Sequence, residues 1–423
     1  MMPTGPLSWI GVAAVAALVM ATLIGQRLGR MRWARVFAIV AIGATAYSTN
    51  QIHSRRLADQ PFPDAQEVAE VTWRMVHGQG YTITLHGTGP LPPRYAPGYP
   101  IALAPFALVG REFPGRIPRG AAFYAALYVV AVCLAAWTMG GPAAGALAAL
   151  AVGISPFARD MARMVMSDAF AAALTMLLIP LLHKPTRNRA LWAGLLAGSL
   201  VAVRLPMVLN LAALFVALPR SLWSRAILAA TIPLAAYAVF NHFTYGGPFT
   251  TGYHHWVHVK NLSLDYVTTE LMREGPGVTP DALEGWIVKL IDRRPSSSWS
   301  WGGPQNDFPN YIFYPAVLGG VFWVFTPPFL SLLGLWSYWR NRKRPEARFA
   351  LVLCGISVLF FCCYFYQGTR FMAAPASVLL AGAVTRIARW LVGDPSIPIE
   401  HEPVLHYVAP RSSRIRREVT SDA

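Results

Sequence analysis

An acidic pair opens the first long polar segment of the chain and has the spacing of either a helix cap or an active site. Residues 61–67 spell Pro-Phe-Pro-Asp-Ala-Gln-Glu, and a helix is predicted to follow as far as about His77. Asp64 stands where an N-cap belongs, and Glu67, three residues on, would complete a capping box. A carboxylate held at a membrane surface could instead remove a proton from a hydroxyl as a general base. Local spacing leaves both interpretations open.

A second acidic residue and several arginines could form an anion site with that pair. Asp168 follows Met166-Ser167 at the start of an apolar run, where capping shared with Ser167 is the alternative interpretation. Arg204 and Arg370 lie at helix ends predicted to face outward, where topology does not require positive charge. Snorkelling would explain one such arginine. Two of them, together with Arg94, Arg159 and Arg163, suggest an outward cationic pocket for an anion such as phosphate.

Other candidate sites are weaker. The stiff, proline-rich stretch at residues 92–100 is either a rigid connector or the wall of a substrate cleft that carries Arg94 and Tyr95. His254, His255 and His258 could ligate a metal, but nothing places them on one helix face, and interfacial packing is the preferred interpretation. The sequence contains no Walker motif, no His-Glu-x-x-His and no Gly-x-Ser-x-Gly.

The composition indicates that a membrane positions these residues. Of 423 residues, 55% are hydrophobic and only 13% are charged, against about 25% in soluble domains. Long apolar runs alternate with short basic clusters, which is typical of a helical protein with several spans. The net charge of +16 is therefore interpreted as topology, and no nucleic-acid partner is expected.

We predict an all-α, polytopic helical bundle with about eleven transmembrane helices. Arg204-Leu205-Pro206 splits one apolar run into a predicted hairpin of two short helices, because proline disfavours a continuous helix. The predicted spans are Ser8 to Gln26, Trp33 to Asn50, Gly120 to Met139, Ala143 to Phe157, Ala169 to His183, Ala190 to Val203, Pro206 to Leu218, Ser224 to His242, Tyr311 to Trp339, Phe349 to Tyr366 and Phe371 to Thr385.

The positive-inside rule orients the bundle. The apolar run Tyr99 to Gly110 is too short to span with certainty. If it does not span, every strongly basic loop, including residues 340–344, lies on the cytoplasmic side. We therefore predict that Tyr99 to Gly110 stays outside. Residues 1–392 then form the integral membrane domain, and residues 393–423 form a basic, disordered cytoplasmic tail.

Two large loops are expected to face outward. They cover residues of about 51–119 and 243–310, and loops of this length usually have a function. In the second loop, Leu283, Trp286, Ile287, Leu290 and Ile291 have helical spacing and predict an amphipathic helix on the membrane surface.

Taken together, these motifs resemble the GT-C superfamily of membrane glycosyltransferases, and in particular the polyprenyl-phosphate-mannose protein mannosyltransferases and aminoarabinose transferases. The resemblance covers most of the chain from Trp33 to about Leu380. Its motifs, in order, are Asp64 to Ala69 with His77 to Tyr81, Tyr95 to Pro100, Met166 to Ala169, Ala193 to Gly198 with Val203 to Pro206, and Tyr245 to Tyr253 with Gly368 to Pro375.

The resemblance implies an inverting transfer of a sugar from a polyprenyl-phosphate donor to an acceptor hydroxyl on the outer membrane face. Asp64 would be the catalytic base, with Glu67 and Asp168 as further acidic residues. Arg370, Arg204 and Arg94 would bind the donor phosphate. Many relatives carry a second acidic residue directly after the first, whereas Ala65 stands here and leaves Glu67 as the nearest substitute.

The remaining assignments concern the cleft and its ligands. We assign to the substrate cleft Tyr95, Tyr99, His86 and Tyr253. A divalent cation such as magnesium or manganese is left open as a cofactor, and no nucleotide cofactor is expected. The acceptor would be a lipid, a glycan or a protein. The expected location is a bacterial cytoplasmic membrane, with the active site facing the periplasm and the C-terminus in the cytoplasm.

Two other functions compete with the transferase. A transporter or flippase for a lipid-linked or anionic solute should show broken helices with polar residues near the bilayer midplane. The predicted spans contain almost none, and their charges gather at one face. A non-catalytic scaffold of an envelope-glycan assembly is the third hypothesis, against which an intact Asp64 and Arg370 argue only mildly.

Overall fold

The computed structural model describes residues 5–57, 60, 64–84, 90–109, 111–252, 310–320, 325, 328–362 and 368–393. Within these ranges the chain forms fourteen α-helices and one isolated antiparallel bridge between Ile83 and Leu91. The helices are α1 (Trp9–Arg27), α2 (Met31–Asn50), α3 (Asp64–Val76), α4 (Gly98–Leu108), α5 (Ile117–Gly153), α6 (Pro156–Ala162), α7 (Asp168–Leu182), α8 (Arg187–Val203), α9 (Val208–Ala217), α10 (Trp223–Tyr245), α11 (Asn310–Leu318), α12 (Pro328–Arg340), α13 (Pro345–Cys362) and α14 (Ala373–Val392).

Contacts between helix termini define two ends of the bundle. At one end the Arg389 guanidinium at the end of α14 donates to the Met139 carbonyl (2.7 Å), and His183 meets Glu346 at 3.2 Å. We call it the basic end, because its charged side chains are basic except for that of Glu346, among the described residues. At the other end, called the site end, Leu7 pairs with Gly153 (3.1 Å) and Tyr245 donates to the Pro93 carbonyl (2.9 Å).

The predicted separation of two spans near residue 140 is present as a sharp reversal inside α5. Gly141 has φ 77° and ψ −173°, which is a conformation that glycine adopts most readily. After it the chain folds back, so that a methyl group at Gly145 would lie 3.0 Å from the Trp137 ring. Pro142 follows the reversal, and the amide of Ala143 donates to the Gln26 side chain (3.0 Å).

The break predicted at Arg204 is also present, whereas one predicted span is divided. Arg204 is extended (φ −160°) between α8 and a 3₁₀ turn at Leu205–Met207, and α9 begins at Val208. The single span predicted over Tyr311 to Trp339 is wrong. Two separate helices, α11 and α12, occupy that stretch, and Gly320 after α11 has a positive φ of 80°, which ends a right-handed helix.

Small residues let several helices approach closely. A methyl group at Gly198 on α8 would lie 2.6 Å from the Ala230 carbonyl on α10, and one at Gly194 would overlap the Ala226 carbonyl. Close backbone contact of this kind replaces the hydrophobic driving force that is missing between helices in lipid. These contacts fix α8 and thereby the position of Arg204 at its C-terminal end.

The chain is a multi-pass membrane protein. Five helices of the described part are long and apolar enough to cross a bilayer. They are α1, α5 and α13, together with α10 and α14, each of which is counted with the 3₁₀ turn before it. Large apolar side chains such as Ile10, Leu228 and Ile232 are exposed on α1 and α10, as expected of a lipid-facing surface. The other predicted spans correspond to helices that are shorter or, in the case of α2 with its 20 residues, less apolar, so the number of about eleven stays a prediction. The amphipathic helix predicted around Trp286 lies outside the described residues.

Candidate active site

The first residue of α3 lies at the centre of a charged cluster at the site end. The Tyr95 hydroxyl donates to one carboxylate oxygen of Asp64, and the Arg370 guanidinium donates to the other at 2.5 Å. These partners come from residues 31 and 306 positions away. A carboxylate that served only to cap its own helix would bond to backbone amides of the first turn, so Asp64 has a tertiary role.

Glu67 is completely buried and forms an ion pair with Arg94. The Glu67 carboxylate accepts from the Arg94 side chain at 2.9 Å (Nε) and 2.8 Å (Nη2) and also from the Arg94 backbone amide. Glu67 is 0% exposed and Arg94 is 5% exposed. Three donors from one residue fix the position of the neighbouring Tyr95. The capping-box interpretation of Glu67 is therefore replaced by a buried structural pair.

Two tyrosines hold the extended stretch that carries Arg94 and Tyr95. The Tyr81 hydroxyl donates to the Tyr95 carbonyl at 2.9 Å, and the Tyr245 hydroxyl donates to the Pro93 carbonyl at 2.9 Å. Gly252 packs against the same backbone, where a methyl group would lie 2.6 Å from the Arg94 carbonyl oxygen. Prolines prevent this stretch from becoming helical, and the hydrogen bonds fix its path over α3.

Asp168 and Arg204 form the second half of the cluster. Arg204 donates to the Asp168 carboxylate, and the Asp168 side chain is 2% exposed. Ser167, which was the alternative cap, makes no side-chain capping hydrogen bond. The break after α8 points Arg204 at the start of α7, so the pair joins two helix ends.

Arg370 links the two halves. It bonds to Asp64, its other terminal nitrogen lies 4.0 Å from Asp168, and the same nitrogen lies 3.3 Å from the Met166 sulfur. The Phe371 ring lies beneath both Arg204 (5.0 Å) and Arg370 (5.4 Å). A ring in that position favours two adjacent cations by cation–π attraction.

The cluster is balanced in charge and only partly covered. Its three carboxylates, Asp64, Glu67 and Asp168, match the three guanidiniums of Arg94, Arg204 and Arg370. Side chains of Asp64, Arg204 and Arg370 keep 21%, 17% and 11% of their surface, whereas the Glu67–Arg94 pair is sealed. A ligand at the site end would therefore contact Asp64, Arg204 and Arg370.

Helix α3 lies outside the predicted spans, and the pKa values of its carboxylates Asp64 and Glu67 are shifted in opposite directions. Burial opposes ionisation of Asp64, but the charge of Arg370, the Tyr95 hydroxyl and the charge of Arg94 outweigh it and hold the pKa of Asp64 below its ordinary value. Burial raises the pKa of Glu67 above its ordinary value, although Arg94 acts in the opposite direction. Asp64 is thus an anion at neutral pH.

Not all of the predicted site residues lie in the cluster. Tyr99 is 1% exposed, and its ring packs against Tyr124 and Phe170, which places it in the core between helices and not in an open cleft. Its hydroxyl has no hydrogen-bond partner within the described structure. His86 and Tyr253 lie outside the described residues, as does the histidine group at residues 254–258.

The other outward arginines form a separate group. Arg159 and Asp160 lie on α6, and Arg163 is the C-terminal cap of that helix. The positive charges of Arg55, Arg159 and Arg163 all act on the Asp160 carboxylate. Burial raises the pKa of Asp160 above its ordinary value, and the three arginines lower it in part. In the described part of the chain, no group of three His, Cys, Asp or Glu side chains could hold a metal ion.

Sequence reasoning did not assign a role to Phe371 or Met166. Each stands beside a predicted site residue, Phe371 after Arg370 and Met166 two residues before Asp168. An aromatic ring directly next to an outward arginine is a usable signal, since it can hold the cation in place. The positioning roles of Tyr81 and Tyr245 could not have been found, because their partners are backbone carbonyls far along the chain.

Comparisons with known proteins give a similarity of fold. No known family profile matches the chain, and no curated protein matches its sequence. The structure of ArnT from Cupriavidus metallidurans bound to undecaprenyl phosphate aligns with a TM-score of 0.50 and 16% identity, over 82% of this chain. The oligosaccharyltransferase of Archaeoglobus fulgidus in the apo form aligns with a TM-score of 0.47 and 12% identity over 82% of this chain.

This chain spans 59% of the length of that ArnT and 50% of that oligosaccharyltransferase. Both belong to the GT-C superfamily. The ArnT alignment confirms the predicted resemblance to GT-C proteins at the level of the fold.

Proposed function

We propose that this protein is a membrane glycosyltransferase that takes a sugar from a polyprenyl-phosphate carrier at the outer membrane face. The observation that carries the proposal is the Asp64 carboxylate, 21% exposed and held between Tyr95 and Arg370 at one end of the bundle. A base beside arginines that can take a phosphate is what inverting transfer from a sugar phosphate requires. The GT-C-like fold, shared with an ArnT bound to undecaprenyl phosphate, supports the donor class.

In this mechanism, Asp64 removes the proton from the acceptor hydroxyl as its oxygen attacks the anomeric carbon. The bond between that carbon and the phosphate oxygen breaks with inversion, and its electron pair leaves with polyprenyl phosphate. The leaving group gains one negative charge. Arg370 and Arg204 stabilise this charge, because guanidiniums bind phosphate oxygens in a bidentate manner. The proton remains on Asp64.

The pairing of the cluster gives a reason for ordered action. Without a donor, Arg370 lowers the pKa of Asp64 and makes it a weak base. A donor phosphate that takes Arg370 would withdraw this charge and raise the basicity of Asp64. Asp168 holds Arg204 in the meantime. Base strength would then rise when the donor is in place.

The test is transfer of labelled sugar from a panel of polyprenyl-phosphate sugars by the protein in nanodiscs. We expect Asp64→Asn to fold normally and to lose activity by about 10²- to 10⁴-fold, the usual contribution of a general base. Asp160→Asn is the matched control, since Asp160 is another half-buried, arginine-flanked carboxylate near the site end, and it should retain activity.

The other outcomes separate the competing functions. Equal activity of wild type and Asp64→Asn would show that the base lies elsewhere. If wild type transfers no sugar from any donor but binds polyprenyl phosphate, the transferase is wrong and a transporter or scaffold takes its place.

A further inference from the structure

A cleft on the opposite face of α3 has the chemistry of a carbohydrate subsite. Its volume is about 290 Å³, and it is lined by Leu57, Gln66, Glu70, Trp73, Arg74, Gln79 and Phe113. Four of these residues follow α3 at positions i, i+4, i+7 and i+8, which is one helical stripe. At about 100° per residue, Asp64 projects roughly 135° away from the centre of this stripe. Glu67 is 0% exposed and does not line the cleft, so the cleft is distinct from the candidate active site.

The aromatic side of the cleft is rigid. The Trp73 ring stacks on His77 at 3.9 Å and meets the Phe113 ring edge-on at 6.1 Å. Phe113 is 46% exposed, although it is a large apolar side chain on a polar loop. Fixed aromatic rings beside open space can pack against the C–H face of a sugar ring at little entropic cost.

The polar side of the cleft offers unused hydrogen-bonding groups. Within the described structure, one Glu70 oxygen accepts from the Thr84 amide and hydroxyl at 2.6 Å each, and Arg74 Nε donates to Thr82 at 3.0 Å. No partner in that part of the chain occupies the other Glu70 oxygen, the terminal nitrogens of Arg74 or the amides of Gln66 and Gln79. These groups include both donors and acceptors, as paired sugar hydroxyls need.

The charges of the cleft favour a neutral ligand. Glu70 and Arg74 cancel, and their inner atoms are fixed by Thr84 and Thr82. A phosphorylated lipid would need guanidiniums that can bind its phosphate oxygens, such as those of Arg370 and Arg204 in the candidate active site. A peptide would require a groove with unpaired backbone groups or apolar pockets.

We propose that this cleft binds one segment of a neutral oligosaccharide acceptor, away from the hydroxyl that reacts. The proposal rests on the proposed transferase function and specifies its acceptor class. Trp73 lies nine residues after Asp64, about 14 Å along the helix axis at 1.5 Å per residue. An acceptor that occupies both places must therefore be several sugars long, whereas a single sugar can occupy only one.

The test measures binding and transfer separately. Binding of neutral manno-, arabino-, galacto- and glucotetraoses to the full-length protein in nanodiscs is measured by calorimetry without donor. We expect at least one to bind, with affinity reduced about three- to tenfold by Phe113→Ala, the effect of losing one aromatic contact, and similarly by Gln66→Ala. Phe123→Ala is the matched control, since Phe123 is 47% exposed on α5, and it should bind as wild type.

Transfer assays then locate the effect. Phe113→Ala and Gln66→Ala should raise KM for the tetraose and leave KM for the monosaccharide acceptor and kcat unchanged. Unaltered tetraose affinity in both variants, or no binding of any tetraose by wild type, overturns the proposal. Wild-type transfer to a lipid or peptide without oligosaccharide binding would overturn it too, while the transferase function stands. Binding that is lost in the variants without any transfer would support the cleft and contradict the transferase.

Discussion

The two ends of the bundle treat charge in opposite ways. At the site end, Asp64, Glu67 and Asp168 each bond to an arginine, and these contacts bring residues from α3, α7 and the turn before α14 together. At the basic end, Arg340 and Arg342 are exposed beside tryptophan rings. Glu346 is the one carboxylate of that end among the described residues. One end concentrates paired charge within the fold, and the other displays positive charge outside it.

The exposed arginines of the basic end and the paired charges of the site end have different causes. Exposed arginines next to an apolar bundle are sufficient for topology and need no specific partners. Buried pairs cost desolvation energy and give little net stability compared with apolar packing. Among the described residues, pairs of a carboxylate with an arginine are found at the site end, which is evidence for function there, because stability alone would not favour them.

Removal of a buried partner at the site end should have the largest effect on stability. Glu67→Leu leaves Arg94 buried without its carboxylate and should lower the free energy of unfolding by about 3–5 kcal/mol. SDS-induced unfolding measures this change. Glu346→Leu, which removes the buried carboxylate of the basic end, should cost only about 1 kcal/mol, because the side chain of its partner His183 is 22% exposed and can bond to water instead.

A double variant tests the cause of this effect. If the loss arises from the unpaired guanidinium, Glu67→Leu combined with Arg94→Met should regain most of the stability. Equal destabilisation by the single and double variants would contradict it, as would equal effects of Glu67→Leu and Glu346→Leu.

Arg370, in the turn Thr369–Met372 before α14, and Arg389, in the last turn of α14, allow the two ends to be compared by activity. Arg370→Met should lower transfer by about 10²- to 10³-fold, as expected for a lost donor to developing negative charge. Arg389→Met removes a side chain whose described hydrogen bond is to the Met139 carbonyl, and its transfer rate per folded molecule should match wild type. Similar losses in both variants would mean that Arg370 acts through the fold and not at the phosphate.

The elements of the fold were largely predictable, because apolar runs and helix breakers act locally. Proline at Pro206 and glycine at Gly141 mark breaks that the structure contains. The division of Tyr311 to Trp339 into two helices was missed, since the run is apolar throughout and its proline and glycine residues were outweighed by hydropathy. Hydropathy reports burial in lipid and does not report helix continuity.

The candidate site was predictable in membership but not in pairing. Asp64 was selected because acidic residues near the bilayer are costly, and Arg204 and Arg370 were selected because topology does not require positive charge at outward helix ends. Their pairing depends on the packing of α3, α8 and α14 across more than 300 residues of sequence, which local spacing cannot encode. Tyr99 shows the same limit, since a tyrosine in a motif gave no indication that its ring lies between Tyr124 and Phe170.

The fall of kcat/KM at low pH, the acid limb of its pH profile, should depend on the ion pair between Asp64 and Arg370. A base acts only when ionised, so activity is present above its pKa and is lost as the pH falls through it. Because the pKa of Asp64 is lowered from 3.8, this limb in wild type should lie below that pH. Arg370→Gln should move it upward by about one unit or more.

Arg204→Gln serves as the control for this profile, since Arg204 bonds to Asp168 and not to Asp64 in the described contacts. Its acid limb should stay at the wild-type position even though its rate falls. An acid limb that moves equally in both variants would show that Arg370 does not set the pKa of Asp64.

The smallest effect is expected from the exposed arginines of the basic end. Arg342 lies over the exposed Trp339 ring at 5.3 Å, and such a contact contributes about 0.5–1 kcal/mol. Arg342→Ala should therefore change SDS-induced unfolding by no more than this amount and should leave sugar transfer unchanged. A loss of transfer without a loss of stability would mean that the basic end takes part in the reaction, and the distinction between the two ends would then have to be abandoned.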